Sequence, residues 1–215
     1  IEAFIDVPSY LCIASVIGRA INSVHGYDIL PIYFAPEKLE QDKIKLLNSF
    51  GFNNHINFYK YKYSFVIIFK SFLSVLKTLI YINNKESLIA YRIDGIQVGD
   101  LIYDGYIRHV KAYKNFNKYS FSFFKHLYIS HFFFYTYKRL FKKLKNKIKY
   151  IILSHNTYPS FGFLARLGFE ENINIVLSPS IFTHIYRPSD GDDIYKTPYW
   201  PNEEIVNEII NTKKY

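Results

Sequence analysis

Short apolar runs alternate with longer amphipathic segments, and this alternation constrains the fold of the chain more than any other sequence feature. Phe4–Val7 is predicted to be a strand, Pro8–Val24 a helix and Ile29–Phe34 a second strand. Pro8 stands in the first turn of that helix and Gly26 lies just beyond its end, which are favoured positions for these residues. Two strands joined through a helix form a β-α-β unit, whose strands pair in parallel. The sequence therefore predicts an α/β fold with a parallel sheet flanked by helices.

The same alternation continues through the first third of the chain and is found again in the last third. The further predicted strands are Ile56–Tyr61, Tyr150–Leu153 and Ile173–Leu177. The further predicted helices are Lys38–Phe50, closed by Gly51, then Ser64–Ile82, Asp100–Arg108, Phe121–Asn146 and Ser160–Gly168, with a polar break at Asn83–Glu86. On length, the chain is predicted to form one domain, or one large domain plus extensions.

Composition excludes several classes of protein. Cys12 is the single cysteine, which excludes a disulfide framework and favours a reducing cytoplasmic compartment. No HExxH motif or paired carboxylate–histidine spacing is present, so no metal site is expected. The chain also lacks a GxSxG elbow, a GxGxxG turn and a P-loop. It contains no methionine, even at position 1, so we expect it to be a fragment of a longer protein.

The net charge of +9 is concentrated in one segment. Tyr137–Lys149 carries seven basic residues and no acidic one. Its apolar residues recur at helical spacing and are Tyr137, Leu140, Phe141, Leu144 and Ile148, which predicts a basic amphipathic helix. Such a helix either lies against anionic lipid headgroups or packs its apolar side on the core and leaves its lysines in solvent. We find no nucleic-acid motif around it, so no nucleic-acid partner is expected.

The segment GDLIYDGYIR concentrates polar side chains on one predicted helix. Asp100, Asp104 and Arg108 are spaced four residues apart and share one stripe, while Ile102 and Tyr106 point to the opposite side. A carboxylate near a cation can act as a general base or orient a sugar hydroxyl, and a guanidinium can hold a phosphate or carboxylate. Alternatively, Gly99 ends a strand, Asp100 caps the helix, and Asp104 pairs with Arg108 on the surface.

Loops that follow the predicted strands are further candidates, because ligands of parallel sheets bind beyond the carboxyl ends of the strands. Ser9 and Tyr10 follow the first strand at a helix start, where free N–H groups favour an anion. The loop after Leu153 carries Ser154, His155, Asn156, Thr157 and Tyr158, and the stretch after Leu177 carries Thr183, His184, Tyr186 and Arg187. His155 could act as a base or an orienting group, or the cluster could only cap and turn the chain. We expect the segments 100–108 and 154–158 to open onto one cleft.

Four segments together resemble a known family. The four segments are FIDVPSYL, IDGIQVGDLIYDGYIR, LSHNTYPSFGFLARLGFE and HIYR. Over about Phe4–Arg187, they are similar to the amino-terminal half of bacterial capsular and surface-polysaccharide glycosyltransferases of the GT-B type. The resemblance implies a cytoplasmic, membrane-peripheral enzyme that extends a lipid-linked glycan. It also implies two Rossmann-like domains, of which the amino-terminal one holds the glycan acceptor. That domain would cover residues 1–187, with a helical insertion at about 64–147. Residues 188–215 would then be a linker and the start of the second domain, which is missing here. The nucleotide-sugar donor would bind the missing carboxyl-terminal domain, so no cofactor is expected in this one.

The resemblance also suggests roles for the candidate residues. Asp104 or His155 would deprotonate the acceptor hydroxyl in an inverting reaction, and Arg108 would hold an anionic group. The remaining candidate substrate contacts are Ser9, Tyr10, Asp100, Tyr103, Asn156, Tyr158, His184 and Arg187. The alternative from another class is a non-catalytic Rossmann-like module that binds a membrane or a protein partner through the basic helix.

Overall fold

A computed structural model of the protein describes residues 8–33, 37–110, 116–144 and 147–177, most of which are helical. The helices are α1 (Pro8–His25), α2 (Glu37–Ser49), α3 (Phe65–Tyr81), α4 (Lys85–Ile89), α5 (Gly99–Val110), α6 (Phe121–Lys143) and α7 (Phe163–Glu170). The strands are β1 (Ile32–Tyr33), β2 (Ile56–Asn57), β3 (Arg92–Ile93), β4 (Ile96–Gln97), β5 (Tyr150–Leu153) and β6 (Asn174–Leu177). A 3-10 helix follows β2 (Phe58–Tyr63), and a π-helical turn precedes α7 (Tyr158–Gly162).

The strands that flank a helix pair in parallel, as the β-α-β pattern predicts. β1 pairs with β2 around α2, with Ile32 opposite Ile56. β5 pairs with β6 around α7, from Tyr150 opposite Asn174 to Leu153 opposite Leu177. Within the described ranges, each of the three sheets has two strands, so the structure is α/β without one continuous sheet. The predicted strand Phe4–Val7 lies outside the described residues.

Two of the predicted strands are shorter in the structure. In the predicted strand Ile29–Phe34, of which the structure describes residues 29–33, the ladder hydrogen bonds are confined to Ile32–Tyr33 within that described part. The predicted strand Ile56–Tyr61 ends at Asn57, and the chain continues as a 3-10 helix. The cause is local, because the Asn57 side-chain oxygen accepts a hydrogen bond from the Tyr59 N–H at 3.0 Å and turns the backbone away from the ladder.

An antiparallel hairpin, β3–β4, was not among the predicted elements. Arg92 lies opposite Gln97, and the turn between the strands contains Asp94 and Gly95, both with positive φ (51° and 87°). Asp-Gly between apolar residues is the dipeptide that favours such a two-residue hairpin turn. The chain therefore passes from this hairpin directly into α5. The expectation that Gly99 ends a strand is wrong, because Gly99 is the first residue of α5.

Local signals fix the ends of several helices. α1 begins at Pro8, as predicted, and Gly26 follows it with φ of 67°. Ser120 caps α6 by accepting a hydrogen bond from the Phe123 N–H at 3.2 Å. In the predicted polar break, Asn84 and Ser87 bond reciprocally and begin the short helix α4.

The pairing of α3 with α6 forms one side of the core. α3 turns Ile67, Ser71, Ser74, Val75 and Thr78 inward. The Thr78 hydroxyl donates to the Ser74 carbonyl oxygen at 2.7 Å, so it must accept from Nε2 of the fully buried His131 at 2.9 Å. His131 is therefore the neutral Nε2–H tautomer, and burial lowers its pKa to about 3.

The basic amphipathic helix is shorter than predicted and packs its apolar side on the protein. α6 ends at Lys143, short of the predicted limits at Asn146 and Lys149. Tyr137, Leu140 and Phe141 are buried, while Lys142 and Lys143 are exposed. Of the two arrangements considered for Tyr137–Lys149, the structure shows the solvated lysine face over its helical part. In the ranges that the structure describes, no helix has the length and apolarity needed to cross a membrane.

Candidate functional site

The candidate site lies where the chain leaves the carboxyl end of β5. A loop follows Leu153, and the backbone then makes a π-helical turn that begins at Tyr158. Tyr158 has φ of 62°, a strained conformation for a bulky residue, and both π-helical turns and such strain concentrate at functional sites. The turn folds back tightly, because a Cβ on Gly162 would lie 2.5 Å from the Asn156 carbonyl oxygen.

A glycine in α5 lets that helix approach the turn closely. A Cβ on Gly105 would lie 2.8 Å from Cδ of Pro159 and 3.0 Å from Cε1 of His126. The close approach places the Arg108 guanidinium over the Tyr158 ring, 4.6 Å from its centroid, in a cation–π contact. The segments 100–108 and 154–158, which were expected to share a cleft, thus meet at Arg108 and Tyr158.

His155 lies under this contact and is mostly buried. Its Nδ1 is 2.8 Å from the Ser154 hydroxyl oxygen, and its ring centroid is 4.2 Å from that of Phe161. Burial lowers the pKa of His155 to about 4, and the positive charge of Arg108 contributes to the shift. The imidazole is therefore neutral at pH 7 and is a weak base.

Asp104 lies on the outer side of α5, one turn before Arg108. Ile102 and Tyr106 are buried on the opposite side, as the helical stripe predicts. Desolvation raises the pKa of the Asp104 carboxyl, the nearby Asp100 charge raises it further, and Arg166 lowers it. No ion pair joins Asp104 to Arg108 among the described side chains, so the expected surface pair does not form.

Asp100 is engaged by a residue that the sequence analysis did not select. Nη1 of Arg166 donates to Asp100 Oδ1 at 2.6 Å, and Nη2 donates to Oδ2. Nη1 also donates to the Gln97 carbonyl oxygen at 2.6 Å, and Arg166 is only 2% exposed. This bidentate pair fixes the first turn of α5 against α7, so the structure gives Asp100 a structural partner. A lone arginine in the apolar segment FLARLGFE is the sequence signal that could have found it.

A groove adjoins the Arg108–Tyr158 contact. It has a volume of about 410 Å³ and lies between α6 and the π-helical turn. We call it the Tyr158 groove, and its polar lining side chains are Ser122, Lys125, His126, Ser130, Tyr158 and Ser160. Nε2 of His126 donates to the Ile102 carbonyl oxygen at 3.0 Å, and the Ser130 hydroxyl donates to the His126 carbonyl oxygen at 2.9 Å. The His126 and Ser130 side chains are thus held within the wall of the groove, while the exposed Lys125 and Ser122 lie at the rim of the groove.

The other predicted site residues are placed elsewhere. Tyr103 is half-buried, with Nζ of Lys85 4.9 Å from its ring centroid, on the side of α5 that faces α4. Asn156 is 4% exposed and belongs to the tight loop before the turn, outside the groove lining. Ser9 and Tyr10 are in the first turn of α1, but their side chains lie outside the described residues, as do His184 and Arg187.

The described side chains include no group of three or more histidine, cysteine, aspartate or glutamate residues that could hold a metal ion. Protein-family models, curated proteins and solved structures provide no match to this chain.

Proposed function

We propose that this chain is the acceptor-side domain of a glycosyltransferase that transfers a sugar from a nucleotide-sugar to a growing surface or capsular polysaccharide. The observation that carries the proposal is the contact of Arg108 with Tyr158, a residue that lines the Tyr158 groove, with the His155 ring packed against Tyr158. This position, at the carboxyl end of a parallel strand, is where α/β proteins bind ligands.

The chemistry of the groove suits an anionic sugar. Ser122, Ser160 and Tyr158 supply hydroxyl groups, which both donate and accept hydrogen bonds as sugar hydroxyls do. Lys125 at the rim and Arg108 beside Tyr158 supply positive charge, and no carboxylate among the described side chains pairs with either of them. These cations favour a uronate or phosphate group on the glycan.

Asp104 is the preferred general base. A base must accept the proton of the attacking acceptor hydroxyl, so that hydroxyl has to be able to reach it. The His155 ring is mostly buried against Phe161 and Tyr158, whereas the Asp104 side chain is exposed. Asp104 lies one turn before Arg108 on α5, next to Gly105, where that helix packs against Pro159 of the π-helical turn. In this proposal the nucleotide-sugar is held by a second domain, as the sequence resemblance implies.

The alternative, a non-catalytic module that binds a membrane or protein partner through the basic helix, receives limited support. Tyr137, Leu140 and Phe141 are committed to the core and cannot enter a lipid surface. Lys142 and Lys143 remain exposed. The basic helix therefore offers a membrane or partner electrostatic contact alone.

Oligosaccharide binding by the intact chain tests the proposal. We expect titration calorimetry with a panel of neutral, uronate-containing and phosphate-containing oligosaccharides to show binding of the anionic ones. Arg108→Gln and Tyr158→Ala should each weaken that binding by about tenfold or more, since a charge-assisted contact contributes on the order of 1.5–3 kcal/mol.

The matched control is the double variant Lys142→Gln, Lys143→Gln, which removes positive charge from α6 outside the groove and should bind as the wild type does. Absence of binding to every oligosaccharide, or wild-type affinity in folded Arg108→Gln, would contradict the acceptor-site assignment. Loss of oligosaccharide binding in the control variant would also contradict the assignment, because it would place the charge that holds the glycan on α6 outside the groove.

A further inference from the structure

Helix α3 presents its large apolar side chains to solvent. We call Phe65, Phe69, Phe72, Leu73, Leu76 and Ile80 the α3 apolar face, and they are between 41% and 81% exposed. At 100° per residue these six positions fall within an arc of about 100°. They therefore form one continuous stripe along the helix rather than scattered exposed residues.

The opposite side of α3 buries three hydroxyl residues together with Ile67 and Val75, whereas a surface helix usually turns its large apolar side chains inward. Ser71, Ser74 and Thr78 face α6 and are buried. The Ser71 hydroxyl donates to the Ile67 carbonyl oxygen at 2.7 Å, and Thr78 bonds Ser74 and His131, so these hydroxyls are satisfied in the core. The inward side is thus well packed and hydrogen-bonded, and the outward apolar side is the one that lacks a complementary environment.

The charges that α3 itself carries are positive. α3 contains no acidic residue, and its two lysines, Lys70 and Lys77, are exposed about 40–60° beyond one edge of the apolar arc. At the beginning of the helix, Nη1 of Arg139 donates to the Ser64 hydroxyl oxygen at 2.5 Å, which brings the basic end of α6 beside α3. An apolar stripe bordered by cations complements an anionic lipid surface, because lysine stems lie along the acyl boundary while their ammonium groups reach the phosphates.

From these features we infer that α3 is a membrane-docking helix that lies in the interface of an anionic bilayer. Its 17 residues span about 25 Å, parallel to the membrane plane. The phenylalanine and leucine side chains of the α3 apolar face enter the acyl boundary, and Lys70, Lys77 and Arg139 contact lipid phosphates. The inference is independent of the glycosyltransferase proposal, because no residue of the Tyr158 groove takes part.

Vesicle flotation tests this docking. The intact chain should bind vesicles that contain about one third phosphatidylglycerol more strongly than pure phosphatidylcholine vesicles, and added salt should weaken binding. The triple variant Phe69→Ser, Leu76→Ser, Ile80→Ser should lower the partition coefficient by about tenfold or more, because each serine removes apolar area that would leave water.

The matched control is Val16→Ser, Val24→Ser, Leu39→Ser, which removes three apolar side chains of similar exposure from α1 and α2. It should bind vesicles as the wild type does. Lys70→Gln, Lys77→Gln should lower binding to anionic vesicles and reduce its salt dependence. Circular dichroism and melting temperature confirm that each variant is folded.

A fluorescent probe identifies what covers the face. Phe69→Trp in a Trp200→Phe background should show a blue shift in emission when anionic vesicles are added, and brominated lipid should quench it. Three results would overturn the inference: unchanged vesicle binding in the serine triple variant, loss of binding only when Lys142 and Lys143 are replaced, or blue emission without vesicles. The last would mean that another part of the chain, or a second copy detected by sedimentation, covers the face.

Discussion

For Asp104, the roles of a general base and of an ordinary surface residue make different predictions. Its carboxyl is exposed yet has a raised pKa, and its expected ion pair with Arg108 does not form. The folded state therefore favours the protonated carboxyl, and any stability that this gives is present below the ordinary pKa of 3.8 and is lost as pH rises through the raised value. At pH 7 the charged carboxylate does not stabilise the fold.

Replacement of Asp104 by asparagine should separate catalysis from stability. If Asp104 is the general base, Asp104→Asn should lower sugar transfer by the full-length protein by about 10²-fold or more. The melting temperature at pH 7 should stay unchanged or rise, because the substitution removes a partly desolvated charge. Transfer rate and thermal unfolding measured side by side check both expectations.

The control is Asp42→Asn, which changes an aspartate whose side chain is 77% exposed on α2. It should transfer sugar as the wild type does. Near wild-type transfer by well-folded Asp104→Asn would contradict its role as the base and assign that role to His155.

At the scale of elements, α5 is held in place by its first turn. Arg166 of α7 reaches Asp100 with two hydrogen bonds and Gln97 with another, and its side chain is almost completely buried. Since α5 also carries Asp104 and Arg108, the pair sets the position of the helix that supplies the proposed base.

Breaking this pair should destabilise the fold strongly. Arg166→Met should lower the free energy of unfolding by about 3 kcal/mol or more, because it leaves a partly buried carboxylate without its partner. Lys138→Met, which breaks the half-exposed pair between Lys138 and Asp94, should cost less than about 1 kcal/mol. Urea denaturation at pH 7 measures both, and equal losses in the two variants would argue against a structural role for Arg166.

At the scale of the whole molecule, two buried histidines link stability to pH. His131 lies between α3 and α6 and His155 lies beneath the Tyr158 contact, and burial lowers their pKa values to about 3 and about 4. Both must stay neutral in the folded protein but can accept protons when it unfolds. Their stabilising contribution is therefore complete above the ordinary value of 6.5 and is lost as pH falls.

Unfolding measured against pH should show this loss. Between pH 6.5 and pH 4 each histidine should remove on the order of 3 kcal/mol from the free energy of unfolding. His155→Asn should remove about half of the pH dependence, whereas His25→Asn, at an exposed position, should leave it intact. A free energy of unfolding that is constant over this range would contradict the buried neutral state of both rings.

Local sequence determined the helices and the parallel pairing. Pro8 and Ser120 mark helix starts through their own backbone and side-chain chemistry, and a strand that returns through a helix has to pair in parallel. The helix starts depend on residues a few positions apart, and the pairing follows from the order of strand, helix and strand, so capping rules and the alternation of elements could predict them. The limits of the short strands were less accessible, since the single Asn57 to Tyr59 hydrogen bond ended β2 early.

The tertiary structure alone decided the partners of the polar residues. Asp100 pairs with a residue 66 positions away, and Arg108 contacts Tyr158 rather than the aspartate four residues before it. It also decided which side of α3 faces outward, because hydroxyls that bond their own helix, or His131 on the facing helix, allow Ser71 and Thr78 to be buried. Periodicity identifies an apolar stripe, but the packing energy of distant elements determines whether the protein or another surface covers it.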